Sequence, residues 1–173
     1  MSHQQDINEK MRAILVDWII EVHLKFKLLP ETLFITINLI DRYLCKTSIC
    51  RNNLQLVGVT CMFIASKYED IYPPPVIDFV YITDNAYSTA QIFEMEFSVL
   101  STLNFNVTSC SAYRFLERFY QVSPKTSQSD AQRLWNLARY LIELPLIEQR
   151  MLKYQSSKIA ASAIFLAHRI MIG

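Results

Sequence analysis

Met11-Arg12-Ala13-Ile14-Leu15-Val16-Asp17-Trp18 reads as a stretch of helix with one residue out of place. At about 100° per residue, Arg12 falls on the face shared by Leu15, Val16 and Ile19. A charge on such a face must be paired or must reach water. Asp41 poses the same problem on the next helical segment, with Phe34, Ile37, Leu44 and Cys45 around it at helical spacing. Two opposite charges, each sunk in an apolar face, predict a buried ion pair that locks two helices together.

The rest of the composition narrows the class of protein. The chain has 173 residues, of which 51% are hydrophobic, enough for one domain of ordinary size or two small ones, compact and soluble. Its net charge is +1, from 17 basic and 16 acidic residues without a long run of either sign, so neither nucleic acid nor an anionic membrane is an expected partner. Two glycines, one of them the last residue, nearly exclude glycine-rich phosphate loops and dinucleotide-binding turns, which need several. The four cysteines, at 45, 50, 61 and 110, lack the spacing of a zinc site or a disulfide scaffold and are expected to be reduced thiols inside a cell. Apolar runs such as Leu56 to Ala65 are shorter than the ~18 residues a membrane span requires.

Working outward from the opening stretch, Asp6 and Glu9 have the spacing of a capping box, predicting a helix to about Leu28. A second helix is expected from Pro30 to about Lys46 and a third from Asn52 or Asn53 to about Asp70, with small residues at 58, 60, 61 and 65 for close packing. Tyr72-Pro73-Pro74-Pro75 must interrupt the helical pattern. A short helix from Val76 to Ile82 follows, then a Ser88/Gln91 capping box opening a helix to about Leu103, with Ile92, Phe93, Val99 and Leu100 on one stripe. Three further helices are expected: Ser111 to Tyr120, Ala131 to Leu144 ended by Pro145 after a polar break at Ser123 to Ser129, and one from about Ser156.

An internal repeat relates the last helix to the third. Ile159-Ala160-Ala161-Ser162-Ala163-Ile164-Phe165-Leu166-Ala167-His168-Arg169 parallels Val57-Gly58-Val59-Thr60-Cys61-Met62-Phe63-Ile64-Ala65-Ser66-Lys67, class for class, at a constant offset of 102 residues. The same offset relates Arg12 to Arg114 and Asp41 to Glu143, without implying a second ion pair. On this reading five helices form the first unit and three the second. The final helix would then present an apolar face, either because the chain is a fragment or because something else covers it.

No catalytic constellation is visible. His3, His23 and His168 have no partner spacing for a metal or a triad, and Cys61 reads as a small core residue. No cofactor is expected. Lys67 and Glu96 both stand on stripes that should be apolar, Lys67 with Phe63 and Ile64, and Glu96 amid Ile92, Phe93, Val99 and Leu100. They form either a second buried salt bridge or the polar centre of an apolar docking face. The sector of the first helix holding Met11, Ile14 and Trp18 turns charged at Glu21 and Lys25, which predicts an exposed groove for a peptide with one basic and one hydrophobic anchor, unless another helix covers it.

Met11-Arg12-Ala13-Ile14-Leu15-Val16-Asp17-Trp18, Leu54-Gln55-Leu56-Val57-Gly58, Ala65-Ser66-Lys67-Tyr68-Glu69, Ile71-Tyr72-Pro73-Pro74 and Met95-Glu96, in this order, resemble the cyclin box of mitotic cyclins. Phe26-Lys27-Leu28-Leu29, Val57-Gly58-Val59-Thr60 and Met62-Phe63-Ile64-Ala65-Ser66-Lys67-Tyr68 are more similar to B-type than to A-type cyclins. The resemblance implies an all-α cyclin fold: an N-terminal cyclin box over residues 1–107 and an incomplete C-terminal repeat over 108–173, truncated at both ends. Two departures accompany it: only ten residues precede Met11, and Pro75 stands where many relatives carry an acid.

The resemblance also implies a function. Such a protein is a non-catalytic subunit, found in nucleus and cytoplasm, that binds and activates a cyclin-dependent serine/threonine kinase at the transition from G2 to mitosis. Lys67 and Glu96, with Phe63, Leu100 and Phe105, would contact the kinase near its mobile αC helix. Met11, Ile14, Leu15, Trp18, Leu54 and Gln55 with Glu21 would form the patch that recruits substrates or inhibitors carrying an arginine-x-leucine motif. Arg12 and Asp41 would be the internal structural ion pair. A different class of function is a cyclin-fold transcription adaptor that activates no kinase, which the near-neutral charge disfavours.

Overall fold

A computed structural model describes residues 4–123 and 128–172, and among them there is helix and loop but no strand. They fall into two compact units, residues 1–109 and 110–173. His3, Gly173 and most of the expected break at Ser123 to Ser129 lie outside the described residues.

The first unit is built around one nearly all-buried helix. Its elements are α1 (Glu9–Phe26), α2 (Pro30–Lys46), α3 (Leu54–Glu69) after a single 3-10 turn, α4 (Val76–Ile82) and α5 (Thr89–Thr102). α3 is buried at Leu54 and at every position from Leu56 to Ser66, and it packs against α1, α2, α4 and α5. Gly58 sits where α3 meets α1. A Cβ there would lie 2.7 Å from Leu15 Cδ1, so the missing side chain is what lets the two helices approach.

Local chemistry explains most helix boundaries. Pro30 opens α2, where its missing N–H is not needed. Ser88 Oγ accepts from Gln91 N while Gln91 Oε1 accepts from Ser88 N, a complete capping box. α1 begins differently from the sequence expectation: its N-cap is Asn8, whose Oδ1 accepts from Met11 N at 2.9 Å. Asp6 instead accepts from the backbone N and the guanidinium of Arg51. α1 ends at Phe26 rather than Leu28 because Lys27 takes the left-handed conformation, with φ of 55°.

Arg12 is fully buried, beside Leu15, Val16 and Ile19. Its Nε and Nη2 donate to the two oxygens of Asp41 at 2.6 and 2.7 Å, a bidentate pair that joins α1 to α2. Phe34, Ile37 and Leu44 are buried around that pair, whereas Cys45, at the edge of the stripe, is exposed. A second polar clamp carries no signal in the sequence. Asp70, just after α3, accepts from Leu29 N at 2.9 Å and from Thr32 Oγ1 at 2.6 Å, capping α2 from a distance in place of a local side chain.

The second unit consists of α6 (Ala112–Val122), α7 (Gln128–Glu143) and α8 (Ser156–Ile172), with α8 packed against both others. α7 begins at Gln128, ahead of the expected Ala131, and Pro145 sits in a 3-10 turn, Leu144–Leu146, rather than stopping the helix outright. Leu54 and Ser156, the first residues of α3 and α8, are related by the offset found in the sequence. Gly58, Cys61 and Ala65 are buried, as are Ala160, Ala163 and Ala167 at the equivalent positions. Phe63 and Ile64 are buried, but Phe165 and Leu166 are exposed. Arg114 and Glu143 pair within their own helices, with Glu117 and Arg139.

Two stability outcomes are expected, each measured by urea unfolding of the intact chain. Arg12→Ala strands a mostly buried carboxylate and lowers stability by about 3 to 5 kcal/mol; a loss below 1 kcal/mol would show that the pair does not hold the helices. Asp70→Ala removes the remote cap of α2 and lowers stability by about 1 to 2 kcal/mol. No change on that substitution would mean that water replaces the carboxylate without cost.

Candidate functional site

Lys67 and Glu96 meet across α3 and α5. Lys67 Nζ donates to Glu96 Oε1 and stands 4.0 Å from the centroid of the Phe63 ring. The pair is not buried: the Lys67 side chain is 41% exposed and that of Glu96 15%. An ion pair with its cation over an aromatic face is held in one geometry by both contacts. Its lysine keeps donors free toward solvent.

The neighbours of the pair are apolar and partly uncovered. Phe63 is buried, 5.2 Å from the Phe79 ring and 6.1 Å from that of Phe93, so it forms the floor beneath Lys67 rather than the contact surface expected from sequence. Phe93, on the apolar stripe expected around Glu96, is 47% exposed, and Phe97, 71% exposed, was missed as part of this surface. Phe97 follows Glu96 directly and Phe93 by four residues, which is the signal that would have found it. Leu100 lies one turn beyond Glu96 and is half-buried. Asn104 and Phe105, both left-handed with φ of 51° and 55°, then turn the chain back. Phe105 N donates to Leu100 O at 2.8 Å, and its ring remains 66% exposed. The structure therefore brings all five expected residues into one region, four at its surface and one beneath.

The second candidate surface lies between α1 and the start of α3. A groove of about 380 Å³ is lined by Met11, Ile14, Leu15 and Trp18 from α1 and by Arg51, Leu54 and Gln55. Ile14 is 61% exposed, while Leu15 and Leu54 are buried and form its floor. Glu21 is exposed but does not line the groove, being nearly a turn beyond Trp18. Arg51 does line it, and was missed because the expected helix began at Asn52 or Asn53. The 3-10 turn places Arg51 one turn ahead of Leu54. Its guanidinium donates to Asp6 at 2.6 and 2.8 Å, which holds the Asp6 carboxyl below the usual carboxylate range.

Among the described residues, no group of three or more His, Cys, Asp and Glu side chains could hold a metal ion. Cys61 is fully buried, and burial pushes its thiol far above the range in which a thiolate forms. His23 is buried with Nε2 3.0 Å from Leu29 O, a structural position at the end of α1. No described helix is long and apolar enough to cross a membrane.

Comparison with known proteins agrees with this architecture. The cyclin N-terminal domain model matches residues 1–108, and the cyclin C-terminal domain model matches residues 110–173. The chain is 52% identical to Cyclin-B2-1 of Oryza sativa subsp. japonica, over 96% of this chain and 39% of that protein. It is 49% identical to the G2/mitotic-specific cyclin-B of Arbacia punctulata, over 97% of this chain and 40% of that protein. It thus spans about two fifths of the length of these relatives. Among solved structures, a viral cyclin from herpesvirus saimiri shares the fold with a TM-score of 0.84 at 21% identity, covering 96% of this chain and 72% of that one. The CAK complex of Chaetomium thermophilum bound to ATP-gamma-S contains a chain with a TM-score of 0.75 at 17% identity, covering 97% of this chain and 56% of that one. With the family's two domain models following one another along its length, and mitotic cyclins about half identical to it, the chain is a member of the cyclin family.

Proposed function

We propose that this chain is a regulatory, non-catalytic subunit that binds and activates a cyclin-dependent serine/threonine kinase and recruits its substrates at entry into mitosis, acting in nucleus and cytoplasm. The observation that carries this reading is the Lys67–Glu96 pair, a fixed polar centre at the surface ringed by Phe93, Phe97, Leu100 and Phe105. An apolar rim around a few preset donors and acceptors suits a partner helix, whose side chains fill the rim while its exposed backbone groups meet the charges. Binding that is tighter to the active arrangement of the kinase αC helix shifts the kinase toward that arrangement. The groove of Met11, Ile14 and Trp18 supplies the substrate contact, taking the hydrophobic anchor of an arginine-x-leucine peptide while Glu21 attracts its arginine.

Two substitutions separate the roles, assayed by pull-down with cyclin-dependent kinases and by phosphorylation of histone. Glu96→Ala is expected to reduce kinase activation at least tenfold, since it leaves Lys67 without its partner at the centre of the surface. Its urea midpoint stays close to that of the parent chain, as for a pair near solvent. Undiminished activation would remove this surface from the kinase interface. Trp18→Ala is expected to lower phosphorylation about tenfold for substrates carrying the arginine-x-leucine motif, through loss of an aromatic anchor, and to leave others unchanged. Equal loss on both classes would count against a separate recruiting groove.

A further inference from the structure

Among the described residues that line the groove between α1 and the start of α3, only Arg51 is charged, and the recruiting role makes no use of it. Its side chain is 65% exposed, so the guanidinium borders both the groove and solvent. It is held in place there. Nε and Nη2 donate to Asp6 Oδ1 at 2.8 and 2.6 Å, and the Arg51 backbone N donates to Asp6 Oδ2 at 2.8 Å. Both Asp6 oxygens are thus committed to Arg51, while Nη1 has no acceptor among the described residues. Because a guanidinium presents its N–H donors in a planar fork, one edge remains open to a second carboxylate.

The tie to Asp6 also says where along the groove this cation stands. Asp6 lies just ahead of Asn8, the N-cap of α1, so the guanidinium is kept at the end of the groove where α1 begins. Glu21 is exposed at the other end, on the stripe of Met11, Ile14 and Trp18. Met11 and Glu21 are separated by roughly 15 Å along the helix axis. An extended peptide covers that span in about four to five residues. Between the two ends the walls and floor are apolar, from Ile14, Trp18, Leu15 and Leu54. The groove therefore has a polarity, with an acid beyond one end and a fixed cation at the other.

We propose that Arg51 is a specificity residue of this groove, taking an acidic side chain that follows the hydrophobic anchor of the docked peptide; the proposal rests on the reading that the groove accepts an arginine-x-leucine segment. With the arginine drawn to Glu21 and the leucine in the apolar centre, the peptide runs on toward the start of α1. An acid about four to five residues after the arginine then meets the open edge of Arg51. Asp6 acts as the positioning residue: it fixes the guanidinium before the peptide arrives, which reduces the side-chain entropy lost on binding. The preferred ligand is thus basic, apolar and acidic in that order. The reverse order would set like charges together at both ends and is selected against.

The test titrates the intact chain, without kinase, into fluorescein-labelled peptides and follows their anisotropy. One peptide carries Arg-x-Leu-x-x-Glu, the second has Gln in place of that Glu, and the third has the Glu moved ahead of the arginine. The first is expected to bind about three- to fivefold more tightly than the second, as for a charge pair near solvent. The third should bind no more tightly than the second, and added salt should narrow the preference for the first. With Arg51→Gln the first two peptides should bind alike, circular dichroism confirming that the variant remains helical. Equal binding of the first two by the parent chain would overturn the role of Arg51 while leaving the recruiting groove in place. So would a preference that survives Arg51→Gln, or a third peptide as tight as the first. Binding of none of the three would overturn both the role of Arg51 and the groove itself.

Discussion

The buried pair of Arg12 and Asp41 fixes the roll of α1, and much of the first unit follows from that angle. A helix whose surface is apolar over most of its circumference has several nearly equivalent ways to pack. A guanidinium that must meet a carboxylate in bidentate geometry leaves one. With Arg12 turned fully inward, Ile14 is necessarily turned out, and the groove appears on that side. The contribution of the pair is therefore orientation as much as stability, because hydrophobic side chains of similar volume would bury as well but would not choose a face.

Long-range bonds between side chains and backbone complete the same task elsewhere in the unit. Gln4 donates to Leu44 O and Thr47 O and accepts from Ile49 N, while Asp6 holds Arg51. These two residues bind the segment before α1 to the connection between α2 and α3. Asp70 binds the end of α3 to the start of α2. In each case an otherwise unpaired backbone group near a helix end is satisfied by a residue some forty positions away, and a loop that would fray is held.

The helices were legible in the sequence because apolar spacing and capping residues are local signals. Ser88 with Gln91 marked a boundary correctly, and Leu54 with Ser156 fell at the repeat offset. Arg12 and Asp41 were legible together because each violated the pattern of its own helix. Asp6 misled, since it has the spacing of a capping residue but a stronger partner in Arg51, 45 residues away. Asp70 and Arg51 stood at helix ends, where periodicity carries no information about direction. Periodicity placed Phe63 and Lys67 on one stripe, yet it could not tell that the ring lies beneath and the ammonium above.

Gly58 lies one helical turn from Leu54 and touches the side chain of Leu15, and both of those residues form the floor of the groove. The separation of α1 and α3 at that crossing acts as a gauge for the width of the groove mouth. A single methyl group added at a position that no peptide would ever touch would meet Leu15 Cδ1 at 2.7 Å and force that side chain to move, reshaping the floor of the groove from behind.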